Sequence, residues 1–396
     1  MQNSQTQSTP FHVMVKPAGA RCNLHCDYCF FLRKKALYPH SPLHMSPAVM
    51  EKYIKQMLRV HQNTVASIAW QGGEPTLMGV DFFKNMVKLQ KKYATPSSTV
   101  ENSLQTNGIL IDEEWGSFLS ENKFLVGLSL DGPKACHDAF RRDKKGNSVF
   151  EKVVQAVKMM KKFQVNFNIL CTINSANCSK PLELYRFFRD ELDVQYLQFI
   201  PIVERANETD FQKSDCLSER TVPALEYGNF LIAIFDEWVK RDVGKMFIQF
   251  FEGVLASYVY GYSSLCVLQP TCGQCVALEH NGDLYSCDHY VEPDYLLGNI
   301  MQSPIEKLVH SEQQHSFGKA KSLGLPSKCK ACEFLFTCYG ECPKNRIVDA
   351  SDGSGKLNWL CDGLKNFFSH TKEPMKRMAS LIRSKHDAAE IMDGNR

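Results

Sequence analysis

Apolar and polar positions along the chain alternate between two kinds of stretch. Short β-rich runs, FHVMVKP (11–17), VASIAWQ (65–71), TVENSLQT (99–106), FLVGLSLD (124–131), VNFNILCTI (165–173) and YLQFIPIV (196–203), read as six strands. Between them lie segments with apolar residues at helical spacing. In SPAVMEKYIKQMLRV (46–60), Ser46 is placed as an N-cap and Pro47 at the first helical position, and FEKVVQAVKMMKKF (150–163) carries the same periodicity. Repeated βα units with right-handed crossovers make a parallel sheet. The pattern therefore predicts an α/β fold, open or curled into a partial (β/α)6 TIM-like barrel.

Functional loops of such a sheet sit at the C-terminal ends of its strands. CNLHCDYC (22–29) follows the first strand, QGGEP (71–75) the second, QTNG (105–108) the third and DGP (131–133) the fourth, so all gather on one rim. A glycine in any one of these loops can be a turn former. Their coincidence at four successive strand ends favours a shared site. Residues 204–222 are polar and mixed in charge, as suits a connector; two helices follow, and cysteines then crowd between 266 and 361. The expected division is a barrel with connector over 1–222, then a helical linker, a cysteine-rich domain and a C-terminal helix over 223–396.

Composition narrows the function classes. A chain of 396 residues with 44% hydrophobic side chains can bury two moderate cores. The formal charge of +3 and the lack of long basic runs argue against nucleic acid or an anionic membrane as partner. The pairs Arg141-Arg142 and Lys144-Lys145 read as a solvated loop. The stretch MQNSQTQSTP has no apolar core like that of a signal peptide, and no later segment reaches membrane-spanning length, so a cytoplasmic location is expected. Sixteen cysteines in a reducing compartment point to metal or redox chemistry rather than to a disulfide framework.

Cys22, Cys26 and Cys29 are spaced to wrap three corners of an iron–sulfur cube and leave the fourth iron open to a small charged cofactor, whose polar ends backbone N–H groups of the rim can meet. The alternative is a zinc knuckle borrowing His25 or Asp27. In the second field, Cys329, Cys332, Cys338 and Cys342 are followed by Pro343, which echoes a ferredoxin run whose last cysteine crosses to the neighbouring cluster. That pattern suggests two groups, Cys266, Cys272, Cys287 and Cys342, and Cys329, Cys332, Cys338 and Cys361. A pair of zinc sites remains the alternative, as in a zinc-stabilised binding or adaptor protein. Cys136, Cys171, Cys178, Cys216 and Cys275 read as buried small hydrophobes or loop thiols. Cys275, three residues from Cys272, competes as a ligand of the first group. Asp288, next to Cys287, can accept a substrate proton or simply orient backbone groups around a sulfur.

These motifs resemble the radical S-adenosylmethionine (SAM) superfamily, whose CxxxCxxC loop matches Cys22, Cys26 and Cys29 with Tyr28 before the last cysteine. The resemblance runs through WQGGEPTL, SLQTNG and GLSLDGP to the C-terminal cysteines, and is to the anaerobic sulfatase-maturating enzymes with their auxiliary-cluster (SPASM) domain. It implies SAM and three 4Fe-4S clusters, with the C-terminal part as an iron–sulfur domain. Gly72, Gly73, Glu74 and Pro75 would cradle the methionine moiety, Ser129 and Asp131 lie where the ribose is held, and Gln105 and Asn107 are further contacts. The family's aromatic pair after the cluster is often Phe-Tyr; here it is Phe30-Phe31, without the second hydroxyl. The implied reaction is radical hydrogen abstraction from Cβ of a cysteine or serine in an unfolded or nascent sulfatase polypeptide, with Asp288 as base and Cα-formylglycine as product. An electron donor such as flavodoxin or ferredoxin and a monomeric state go with that reading, and crosslinking or epimerisation of another peptide is the alternative within the same layout.

Overall fold

The computed structural model describes residues 11–206 and 216–395. Residues 1–10 and residues 207–215 of the polar connector lie outside the described residues. The strands are, in chain order, β1 (His12–Lys16), β2 (Leu24–Cys26), β3 (Val65–Trp70), β4 (Thr99–Thr106), β5 (Leu125–Ser129), β6 (Arg141–Asp143), β7 (Asn166–Ile173), β8 (Tyr196–Pro201), β9 (Phe247–Ile248), β10 (Cys275–Glu279), β11 (Asp283–Tyr285), β12 (Leu296–Asn299), β13 (Arg346–Asp349) and β14 (Lys356–Asn358). The six predicted strands form β1, β3, β4, β5, β7 and β8, which pair in parallel in that order. Parallel neighbours need a crossover, and helices such as α1 (Pro47–Val60) and α2 (Val80–Tyr93) supply it. Ser46 caps α1 by accepting the Val49 N–H at 3.3 Å, and Val49, Met50, Tyr53, Ile54, Met57 and Leu58 make its buried face.

The sheet does not stop at six strands. β9 adds in parallel beside β8, and on the far side of β1 the C-terminal half contributes β10, parallel to β1 from His12↔Cys275 to Lys16↔Glu279. β11 and β12 continue it antiparallel, giving ten strands in the open order β12-β11-β10-β1-β3-β4-β5-β7-β8-β9. The barrel is therefore partial, and the cysteine-rich part is joined to it through β1. Because side chains alternate along a strand, Val13 and Val15 enter the hydrophobic core while Lys16 faces the other way. No helix among the described residues is long and apolar enough to cross a membrane.

Candidate active site

The cluster loop begins six residues after β1. β2 and β6 pair antiparallel, with Cys26 opposite Arg141 and His25 opposite Arg142. His25 is exposed between buried Leu24 and half-buried Cys26, and Asp27 is exposed as well, so neither joins the three thiols as a fourth ligand. Cys22 Sγ accepts the Leu24 N–H at 3.4 Å and the Asn107 amide at 3.7 Å, while Asn107 Nδ2 also reaches Asn23 Oδ1 at 2.8 Å. Burial pushes the Cys22 thiol up to about 11 and the Cys26 thiol up to about 12, and it raises Cys29 too. Cys29 raises both Cys22 and Cys26, and Cys22 raises Cys26.

The rim loops are tied to this loop by main-chain bonds. Gln71 N–H donates to Val15 O at 2.9 Å, Gly73 N–H to Gly19 O at 2.8 Å and Glu74 N–H to Arg21 O at 2.8 Å. A Cβ on Gly73 would lie 2.1 Å from the Arg21 carbonyl oxygen, so only glycine permits this approach; Gly72, at φ +129°, passes against Lys16. The N–H groups of Gly73 and Glu74 thus hold the loop that carries the three cysteines. Buried Pro75 opens the 3-10 turn Pro75–Met78.

Glu74 is 1% exposed and all its acceptors are engaged. Oε1 accepts from Thr76 N–H at 3.0 Å, Thr76 Oγ1 at 2.6 Å and Thr106 Oγ1 at 2.8 Å, and Oε2 accepts from Asn107 N–H at 2.8 Å. Its carboxyl is raised by burial and lowered by those bonds, with burial prevailing. Glu74 thus links the second rim loop to the third. Gln105 Nε2 donates to Ser129 Oγ at 3.0 Å across β4 and β5.

Asp131 is a hub. Fully buried, it accepts the Tyr28 hydroxyl, Arg141 Nε at 2.9 Å and Thr172 N–H at 3.0 Å. Burial would raise its carboxyl, but the Arg141 guanidinium and the other donors hold it below the usual range. It ties Tyr28 of the cluster loop to β6 and β7. Arg141, 8% exposed, therefore does not belong to a solvated loop as its paired sequence suggested. No local pattern marks it, because its partner is ten residues away at a different strand end. His137 is fully buried beside this hub; its Nδ1 accepts the Asp131 N–H at 3.4 Å, and burial lowers it to about 4.

Lys16 and Asp288 form an ion pair where β1 ends. Burial pushes the Asp288 carboxyl up, but Lys16, with His289 and Lys34, outweighs it and leaves Asp288 below the usual carboxylate range. The Lys16 ammonium also lies 4.6 Å over the Phe31 ring. Sequence reasoning passed over Lys16; the signal was a lysine ending an otherwise apolar strand of a buried sheet.

The remaining cysteines interact in two sets. Cys266 raises Cys272 and Cys342, and Cys342 and Cys275 raise Cys287, so Cys275 interacts with the first set as well. Cys329 and Cys332 raise Cys361, and Cys361 and Cys329 raise Cys338. Cys275 opens β10, its thiol pushed up to about 12 by burial and, less, by Asp288 and Cys266. Cys136, Cys171 and Cys178 are buried, and Cys216 is exposed. Among the described residues, no cysteine is in a disulfide.

These donor sets fit iron–sulfur groups. Buried thiols that raise one another resist ionisation until a metal takes the place of their protons. Among the described residues, no three His, Cys, Asp or Glu side chains form a group that could hold a single metal ion.

Comparison with known proteins agrees with this geometry. The model of the radical SAM superfamily matches residues 17–187, and that of an iron-sulfur cluster-binding domain matches residues 266–333. The serine-type anaerobic sulfatase-maturating enzyme of Bacteroides thetaiotaomicron is 43% identical over 97% of this chain and 94% of its own. A cysteine-type enzyme of Clostridium perfringens is 36% identical over 94% of this chain and 100% of its own. The solved structure "Native anSMEcpe with bound AdoMet and Cp18Cys peptide", 36% identical, superposes with a TM-score of 0.83 over 94% of this chain and 100% of that one. The chain belongs to the radical SAM superfamily and, within it, to the anaerobic sulfatase-maturating enzymes.

Proposed function

We propose that the protein oxidises Cβ of a cysteine or serine in a sulfatase polypeptide to the aldehyde of Cα-formylglycine, with SAM and three 4Fe-4S clusters as cofactors. The observation that carries this reading is Asp288, a shielded carboxylate kept ionised by Lys16 beside the cluster cysteine Cys287 and close to the rim. Cys22, Cys26 and Cys29 would hold the cluster at which SAM, when bound, would supply radical chemistry for hydrogen removal from Cβ.

The chain's own residues do the rest. Gly72, Gly73 and Pro75 shape the floor for the methionine end of SAM, while Glu74 and Asn107 fix the two loops that bound it. Ser129 and Gln105 face the ribose end from β5 and β4, and Asp131 holds Tyr28 and with it the last turn of the cluster loop. Asp288 takes the acidic proton that the oxidised side chain releases, leaving the aldehyde from serine or a thioaldehyde from cysteine, which water hydrolyses to the aldehyde with loss of hydrogen sulfide. Cys266, Cys272, Cys287 and Cys342 would hold one auxiliary cluster, able to accept an electron when bound, and Cys329, Cys332, Cys338 and Cys361 would hold the other. A one-electron donor such as flavodoxin or ferredoxin serves a monomeric enzyme in the cytoplasm.

The test is anaerobic incubation of the reconstituted protein with SAM, dithionite and sulfatase-derived peptides carrying either cysteine or serine at the target position. Aldehyde, trapped with a hydrazine and located by mass spectrometry, is expected on that residue. If 5′-deoxyadenosine forms but neither peptide gains an aldehyde, the reading fails, and crosslinked or epimerised peptide would point to a different maturation.

A further inference from the structure

Two cations of the C-terminal part are buried with only neutral partners. Lys321, 1% exposed on the helix Glu312–Leu323, donates from Nζ to the Cys266 carbonyl at 2.7 Å and the Val267 carbonyl at 3.1 Å. Arg346, 9% exposed at the start of β13, donates from Nη1 to the Lys321 carbonyl at 2.7 Å, from Nη2 to Tyr339 O at 3.0 Å and from Nε to Gly340 O at 3.2 Å. Among the described residues, neither has a carboxylate in ion-pair contact. The buried carboxylate of Glu341 is held instead by Asn345 and Asn358, at 3.0 and 2.5 Å.

A buried charge costs several kcal/mol unless an anion offsets it. The anions that reach Lys321 are cysteine sulfurs and one carboxylate: it interacts electrostatically with Cys272, Glu341, Cys266 and Cys342, the three cysteines all of the first auxiliary set, while the Glu341 carboxylate is already engaged by its two asparagines. Arg346 interacts with Cys272 of that set and also with Cys329 of the second. Its guanidinium, clamped to the backbone that runs from Cys338 to Cys342, thus lies between the two sets.

We propose that Lys321 and Arg346 are fixed counter-charges of the two auxiliary iron–sulfur clusters, Lys321 serving the first and Arg346 shared between both, and that they raise the clusters' reduction potentials. A four-thiolate cube becomes more negative when it gains one electron, so a nearby buried cation favours the reduced form. The two residues touch neither substrate nor reacting atoms and are positioning residues. The inference rests on reading the cysteine sets as clusters, and not on which peptide is modified.

The experiment is an EPR-monitored redox titration, with dithionite as reductant, of full-length reconstituted protein after iron and sulfide counting. Lys321→Met is expected to weaken one-electron reduction of the first auxiliary cluster at least tenfold, about 59 mV, and to leave the second unmoved. Arg346→Met should lower both, and Lys321→Arg and Arg346→Lys should restore values near the starting ones. Loaded Met variants with unmoved potentials overturn the counter-charge role alone. Unmodified protein that never loads two auxiliary clusters overturns the cluster reading and this inference with it. Where a Met variant fails to load, loading regained in the charge-retaining variant supports the proposal, and loading lost there too overturns it.

Discussion

The Lys16 ammonium, at the last position of β1, sits against the carboxylate of Asp288, the residue directly after Cys287. Lys16 is 1% exposed, and the paired carboxylate oxygen of Asp288 is shielded from solvent. The pair joins the barrel to the cysteine-rich part at the place where β10 adds to β1. An ionised carboxylate there can receive a proton without first losing one.

Asp288→Asn should therefore separate radical formation from product formation. Loss of general-base help costs about a hundred- to ten-thousand-fold, so trapped aldehyde is expected to fall by such a factor while iron content and 5′-deoxyadenosine formation persist. Parallel loss of aldehyde and deoxyadenosine would place the damage at or before radical generation instead.

His137 sets a pH dependence of stability. Its folded value of about 4 lies below the ordinary 6.5, so between those values the unfolded chain binds the proton that the folded chain refuses. The stabilisation is complete above about pH 6.5 and is lost as pH falls toward 4, on the order of 3 kcal/mol in all. Denaturant midpoints measured across that window should slope downward with acid. In His137→Asn, whose amide oxygen can still accept the Asp131 N–H, the slope should flatten; an unchanged slope would assign it to other groups.

The parallel strands were legible because each is an apolar run that ends at a loop of distinctive composition. VASIAWQ at 65–71 became Val65–Trp70, and TVENSLQT became Thr99–Thr106 without a shift. What local pattern could not carry is pairing between distant segments. β10 joins β1 across more than half the chain, so Cys275 looked like a loop thiol although it opens a strand. The same limit hid Arg141 and Lys16, whose burial depends on Asp131 and Asp288 reaching them. Nor did local pattern show that Glu74 and Asp131 tie neighbouring loops together through their carboxylates.

Glu74→Ala tests that holding role. It leaves the buried N–H groups of Thr76 and Asn107 without their acceptor, at about 1–3 kcal/mol for each unsatisfied group. Lower denaturation midpoints are expected, together with SAM binding weakened by about tenfold for each 1.4 kcal/mol passed on to the loops. Equilibrium dialysis with labelled SAM would read the second effect. Unaltered binding in a destabilised variant would confine Glu74 to stability.

Gly73→Ala asks whether the rim and the cluster loop are one unit. The added Cβ would meet the Arg21 carbonyl at 2.1 Å, and that oxygen is backbone, bonded to the Glu74 N–H, so no flexible side chain can give way. One loop must move. Since Arg21 directly precedes Cys22, the movement is transmitted to the first thiol of the set, while the auxiliary cysteines between 266 and 361 are spared. Iron and sulfide counts after anaerobic reconstitution should fall by one cluster, toward the level of a variant with Cys22, Cys26 and Cys29 all changed to Ala, and SAM cleavage should fall with them. Overpacking of a tight contact typically costs about 1–3 kcal/mol, so the rest of the fold should survive and keep its auxiliary iron. Full iron content with normal SAM cleavage would show that the two loops move independently, and the main-chain ties from Gly73 and Glu74 would then have no part in shaping the site.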